Sequence, residues 1–167
     1  CGDVLIKDST ITAPASGYAF DLYFWPGNGY TEGVSVTVGN STINGPIECT
    51  EDNTASSMEG KNHLIIQEGS VVNGNINISN AGSVSISGAE INGNITSNDS
   101  EAAVLVENSK VTGEISGSAA DNMVVRNSVD GSGAFIDKTS EGKQAAIGGK
   151  VIARETVKAM RKDVLAK

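Results

Sequence analysis

Between Val84 and Ile115 the chain states one pattern twice. Val84-x-Ile86, Ile91 and Ile95 are followed by Val104-x-Val106, Val111 and Ile115, so every apolar position returns after 20 residues, and Gly93 returns as Gly113. A fixed period of this length is the mark of a solenoid. One repeat cannot bury its own apolar face and needs a neighbour on each side.

The pattern extends along the chain as two apolar residues at i and i+2, a third at i+7 and often a fourth at i+11. Val4, Ile6 and Ile11 fit it, as do Val36, Val38, Ile43 and Ile47; Leu64, Ile66 and Val71 fit with Ile76 one residue late, which reads as a bulge. Met123 and Val125 open a sixth, degraded copy. The copies start at 4, 36, 64, 84, 104 and 123, so the last three spacings are 20, 20 and 19 and the first two, 32 and 28, imply inserted loops.

The i, i+2 pairs alternate with period two, as a strand with one face inward does. Between i+2 and i+7 stands a small or polar pair, Asp8-Ser9, Asn40-Ser41, Gly88-Ala89, Asn108-Ser109 or Asn127-Ser128. Such residues suit a corner, because Asn and Gly tolerate left-handed backbone and Ser bonds to it locally. A second corner falls at Gly45, Gly74, Gly93 and Gly113. Three short strands per coil, two tight corners and one variable loop describe an all-β parallel β-helix of about six coils over residues 1–137. Long loops are expected at 13–33 and 48–62. Residues 138–167 differ: they carry eight Lys and Arg against three Asp and Glu, a net +5, while residues 1–137 carry four against seventeen, a net −13. From Lys150 the tail is rich in helix formers, with Ala153, Val157, Met160 and Val164 on one face, so it predicts a basic amphipathic α-helix.

The segments VSISGAEINGNI (84–95) and VLVENSKVTGEI (104–115) resemble the right-handed parallel β-helix of the pectin-lyase-like superfamily, especially its non-catalytic surface proteins. The likeness covers residues 3–135 and is one of repeat shape. The NGNI element is also similar to the repeats of bactofilins, cytoskeletal β-helices that polymerise end to end. The first resemblance implies a secreted or cell-surface bacterial protein, without cofactor, that binds a glycan or surface ligand or serves as a structural or adhesive element. The second implies self-association through the rod ends, or through the tail helix. Polysaccharide lyases and hydrolases on this fold make a fragment of such an enzyme the remaining alternative.

Six of the seven aromatic residues lie between 18 and 30. Tyr18, Tyr23, Trp25 and Tyr30, with Asp21 and Glu32, form the candidate ligand site, since rings on a rigid scaffold stack on sugar faces while carboxylates accept from hydroxyls; the same rings suit a buried cap. Catalysis finds less support. The outward column Leu5, Thr37, Ile65, Ser85, Leu105 and Val124 is apolar and hydroxylic rather than acidic, and His63 is the single histidine, so no metal site built on several histidines is expected. Glu48, Glu51 and Asp52 read as a solvated acidic loop before a weak Ca²⁺ site. The acidic body argues against nucleic acid as a ligand, and no apolar run is long enough to span a bilayer. No signal-peptide pattern is visible. Cys1 and Cys49 are a candidate disulfide, with two thiols or a lipidated Cys1 as the other readings. The apolar stripe in the outward column marks a covered surface, and the tail is expected to dock along it or over the final coil.

Overall fold

The computed structural model describes residues 3–24, 33–51, 62–79, 81–98, 103–117, 123–133, 135–139, 145–147 and 150–152. The first coil is β1 (Val4–Lys7), β2 (Thr10–Thr12) and β3 (Phe20–Phe24), and the second is β4 (Ser35–Gly39), β5 (Thr42–Asn44) and β6 (Ile47–Glu51). The third is β7 (His63–Ile66), β8 (Val71–Asn73) and β9 (Ile76–Ile78). The fourth is β10 (Ser83–Ser87), β11 (Glu90–Ile91) and β12 (Ile95–Ser97), and the fifth β13 (Ala103–Glu107), β14 (Lys110–Val111) and β15 (Ile115–Ser116). Each strand pairs in parallel with its counterpart one coil on, giving the orders β1-β4-β7-β10-β13, β2-β5-β8-β11-β14 and β3-β6-β9-β12-β15. These three faces of curled parallel sheet are consistent with a parallel β-solenoid. The sixth coil is one long strand, β16 (Met123–Asp130). Its first half pairs with β13 and its second with β14, so it serves two faces.

The core is a set of columns. Val36, Leu64, Val84, Val104 and Met123 stack in register, as do Val38, Ile66, Ile86, Val106 and Val125. Ile43, Val72, Ile91 and Val111 make the inward column of the second face, and Ile47, Ile76, Ile95 and Ile115 that of the third. All are buried, most of them completely. Each such side chain stabilises the fold by roughly 1.5–3 kcal/mol.

The corners explain the recurring Asn-Ser and Asn-Gly pairs. Asp8, Asn40, Asn108 and Asn127 all adopt left-handed backbone, with φ between 45° and 50°, which short polar side chains tolerate. The serine that follows is buried in three of these coils (Ser41, Ser109 and Ser128). Its hydroxyl donates to the carbonyl two residues earlier (Ser41 to Gly39, 2.8 Å; Ser109 to Glu107, 2.7 Å; Ser128 to Arg126, 3.0 Å). The same hydroxyl accepts a backbone N–H from the preceding coil: Ser41 from Ser9 (3.1 Å), Ser109 from Ala89 (3.2 Å) and Ser128 from Ser109 (3.2 Å). At the second corner the amide of Asn92 donates to Asn73, Asn73 to Asn44, and Asn44 to Thr12. Beside that ladder a Cβ on Gly93 would lie 2.2 Å from the Gly74 carbonyl oxygen, so the backbones approach too closely for any side chain.

Three expectations need correction or completion. In the third coil the inward residue is Val72, not Val71: Val72 pairs with Ile43 and Ile91 and is fully buried, while Val71 pairs with Thr42 and Glu90. The extra residue sits earlier, in the Glu68-Gly69 turn, where Gly69 takes the left-handed conformation (φ 79°), and Ile76 is back in register with Ile47 and Ile95. Within the stretch read as the first loop, 13–33, lies β3, whose inward Leu22 is 4% exposed and stacks on Cys49. Within 48–62 the strand β6 runs on to Glu51, and Asn62 is buried in the wall.

Beyond Asp130 the chain turns back. β17 (Phe135–Thr139) pairs antiparallel with β16, and β18 (Ala145–Ile147) and β19 (Lys150–Ile152) pair antiparallel with each other. The expected tail helix therefore begins, at Lys150, in residues that form a strand, and its remainder, 153–167, lies outside the described residues. β18 contacts β13. Leu105 and Val124 are buried there, at 6% and 2% exposure, although they belong to the outward column of the first face. Among the described residues no helix is long and apolar enough to cross a membrane.

Candidate functional site

The register of the third face builds an outward polar column. Asp21, Glu48, Asn77, Thr96 and Ser116 lie one above the other on successive coils. Strand alternation puts them outside because Leu22, Ile47, Cys49, Ile76, Ile78 and Ile95 point in. The Asn77 amide donates to the Glu48 carboxylate at 2.5 Å, which fixes both side chains along the column. Tyr23 is on the same side of β3 as Asp21 and is 55% exposed; Tyr18, just before β3, is 51% exposed. Phe20, by contrast, packs against the core. The first coil thus packs Phe20 against the core and leaves two phenols in solvent, that of Tyr23 on the same strand side as the Asp21 carboxylate.

Of the residues expected at the site, Asp21 and Tyr23 share the outward side of β3, and Tyr18 precedes that strand. Trp25, Tyr30 and Glu32 lie outside the described residues. So do Cys1 and the Cys1–Cys49 pairing, while Cys49 itself is fully buried in the core between Leu22 and Ile78. Glu48 stands in the polar column; Asp52 lies outside the described residues. Among the described residues no group of three His, Cys, Asp or Glu side chains is placed to hold a metal ion.

Two arrangements escaped the sequence reading. His63 Nδ1 lies 2.8 Å from Ser83 Oγ. The period contained this contact, since the two residues are 20 apart and each precedes the first apolar position of its coil. Acyl-transfer chemistry needs more than a Ser–His contact, namely an oriented carboxylate and oxyanion donors, so the pair carries no catalytic assignment. The second is Asn62, fully buried where the chain re-enters the wall after the second loop. Its carbonyl oxygen Oδ1 accepts from the Val34 N–H (2.9 Å) and its Nδ2 donates to the Leu22 carbonyl (3.2 Å), so one side chain ties three coils together. No sequence signal separated this asparagine from the others. A shallow open groove of about 610 Å³, lined by Leu5, Lys7, Asn40, Gln67, Glu68 and Ser87, runs along the first corner, away from the tyrosines.

No family model matches the chain, and no solved structure matches it. A 24-residue stretch is 96% identical to elongation factor 4 of Clostridium kluyveri and 88% identical, over the same length, to elongation factor 4 of Agathobacter rectalis. Each match covers 14% of this chain, which spans about 4% of the length of these curated relatives. Such a stretch is little more than one 20-residue coil long and leaves the repeated strands as a set unmatched.

Proposed function

We propose that the chain is a non-catalytic recognition module of the right-handed, pectin-lyase-like β-helix type, secreted by a bacterium or held at its cell surface, and that it binds a glycan along its third face. The observation that carries this reading is the half-exposed Tyr23 on the same side of β3 as the column that starts at Asp21, with the half-exposed Tyr18 just before that strand. A phenol ring held on a strand offers flat apolar surface without a large loss of side-chain freedom. The column supplies carboxylate, amide and hydroxyl groups at the strand spacing of about 4.8 Å, close to the length of one sugar unit in an extended polysaccharide. A binding face of this kind needs no deep pocket, and the acidic body favours a neutral or basic sugar chain over an anionic one.

The chain's single tryptophan, Trp25, follows β3 directly and serves as the reporter. Titration with neutral and amino-sugar polysaccharides is expected to shift or quench its emission saturably, and Tyr23→Ala to weaken the binding about tenfold or more. Emission indifferent to every polysaccharide, or affinity unchanged in both Tyr18→Ala and Tyr23→Ala, would refute the reading.

A further inference from the structure

The strands of the first coil are the outer edges of their sheets: β1 and β2 end the larger sheet and β3 ends the smaller one. Among the described residues no strand lies beside their outward backbone groups, and the apolar columns stop there, with Val4 45% and Leu5 68% exposed and Ile6, Ile11 and Phe20 only partly buried. An exposed edge of this kind is a template for another strand. What recommends one partner is the sequence of the edge itself, Asp3-Val4-Leu5-Ile6-Lys7. Val4 and Ile6 continue the inward columns of Val36 and Val38, so Asp3, Leu5 and Lys7 share the outward side. Asp3 and Lys7 are exposed, and among the described residues neither forms an ion pair.

We infer that this edge pairs with the same edge of a second copy, antiparallel about a two-fold axis through Leu5, to give a head-to-head dimer. Antiparallel pairing centred on Leu5 sets Asp3 of each copy opposite Lys7 of the other, Val4 opposite Ile6, and Leu5 opposite Leu5. Both cross-strand charge pairs are then of opposite sign and every other pair is apolar, the combination that stabilises antiparallel neighbours. A parallel or shifted pairing loses the charge match, and a one-residue slip turns the apolar set to the wrong face. Association stops at two. The contact is isologous, and at the other end of the stack β17 already lies along β16, closing two of the three faces.

Sedimentation equilibrium on the full chain, in reductant so that cysteines cannot cross-link, tests the pairing. The native chain is expected to show a monomer–dimer equilibrium without higher species. Asp3→Lys and Lys7→Asp each place like charges opposite one another twice per dimer and should weaken the dimer about tenfold or more. The double variant D3K/K7D restores opposite signs and should recover most of the loss. Leu5→Glu, at an exposed position, should abolish association while leaving the circular dichroism of the folded chain unchanged. A monomeric native chain would overturn the inference. So would open-ended oligomers, or single charge variants that dimerise as the native chain does. Failure of the double variant to recover affinity would overturn the antiparallel register centred on Leu5.

Discussion

At the first coil Leu5 is 68% exposed, and among the described residues β1, β2 and β3 each lack a neighbouring strand on one side. Five coils later Val124, in the same outward column, is 2% exposed, β17 runs antiparallel along β16, and β18 lies against β13. The repeat treats both ends alike, since any coil in a solenoid offers the same edges. The difference comes from sequence outside the repeat. A strand that leaves the period and reverses direction satisfies an edge that another coil would only have passed on. Terminal capping is a general need of stacked repeats; among the described residues β16 and β17 supply it on two faces of the far end, where β15 still ends the smaller sheet, and no described strand supplies it at the first coil.

Removing residues 140–167 puts the largest strain on this contrast. It takes away β18 and should expose Leu105 and Val124, at roughly 1.5–3 kcal/mol for each side chain. We expect the urea midpoint to fall and dye binding to exposed apolar surface to rise; an unchanged midpoint would mean that the closed end does not depend on the tail. A matched pair in one column comes next. At protein concentrations low enough to hold the chain monomeric, Ile86→Ala should cost about 2–5 kcal/mol in the fully buried middle, whereas Ile6→Ala at the partly exposed end should cost only about 1 kcal/mol, because less area leaves water there. Equal losses in urea unfolding would show that the first coil is covered in solution. Asn62→Ala should then destabilise the open end by about 1–3 kcal/mol, through the unpaired Val34 N–H and Leu22 carbonyl it leaves behind; hydrogen exchange at these two coils, rising before the rest, is the readout. The smallest effect has the opposite sign. Ser97 is fully buried in line with Ile78, and its hydroxyl has no hydrogen-bond partner among the described residues. Ser97→Ala should raise stability by about 1 kcal/mol, measured as an upward shift of the urea midpoint.

What the sequence made legible follows the same division. The outward column from Leu5 to Val124 was readable because a period carries every position with it, and the structure pairs those six residues coil by coil. The inward residue of the third coil was not, because Val71 and Val72 are equally apolar and the extra residue hides in a turn. β3 was half-visible, in the alternation of Phe20, Leu22 and Phe24, but the 32-residue spacing between the first two coil starts suggested an inserted loop there. The reversal at β17 left no trace, since an antiparallel return obeys no repeat. The site divides likewise: Tyr18, Tyr23 and Asp21 stood out by residue type, whereas the column continuing through Glu48, Asn77, Thr96 and Ser116 exists only once the register is known. Asn62 is one asparagine among many until its two bonds are seen.

The serine corners also imply an order in time. Backbone donors of Ser9, Ala89 and Ser109 are each satisfied by a hydroxyl from the coil that comes later in sequence. A ribosome delivers coils in that same order. Each corner of the nascent chain therefore waits for the next coil to emerge, and the unfinished position moves along with synthesis until β16 arrives. Folding of this chain is thus expected to advance from its first coil toward its last, with the growing end always the least settled part.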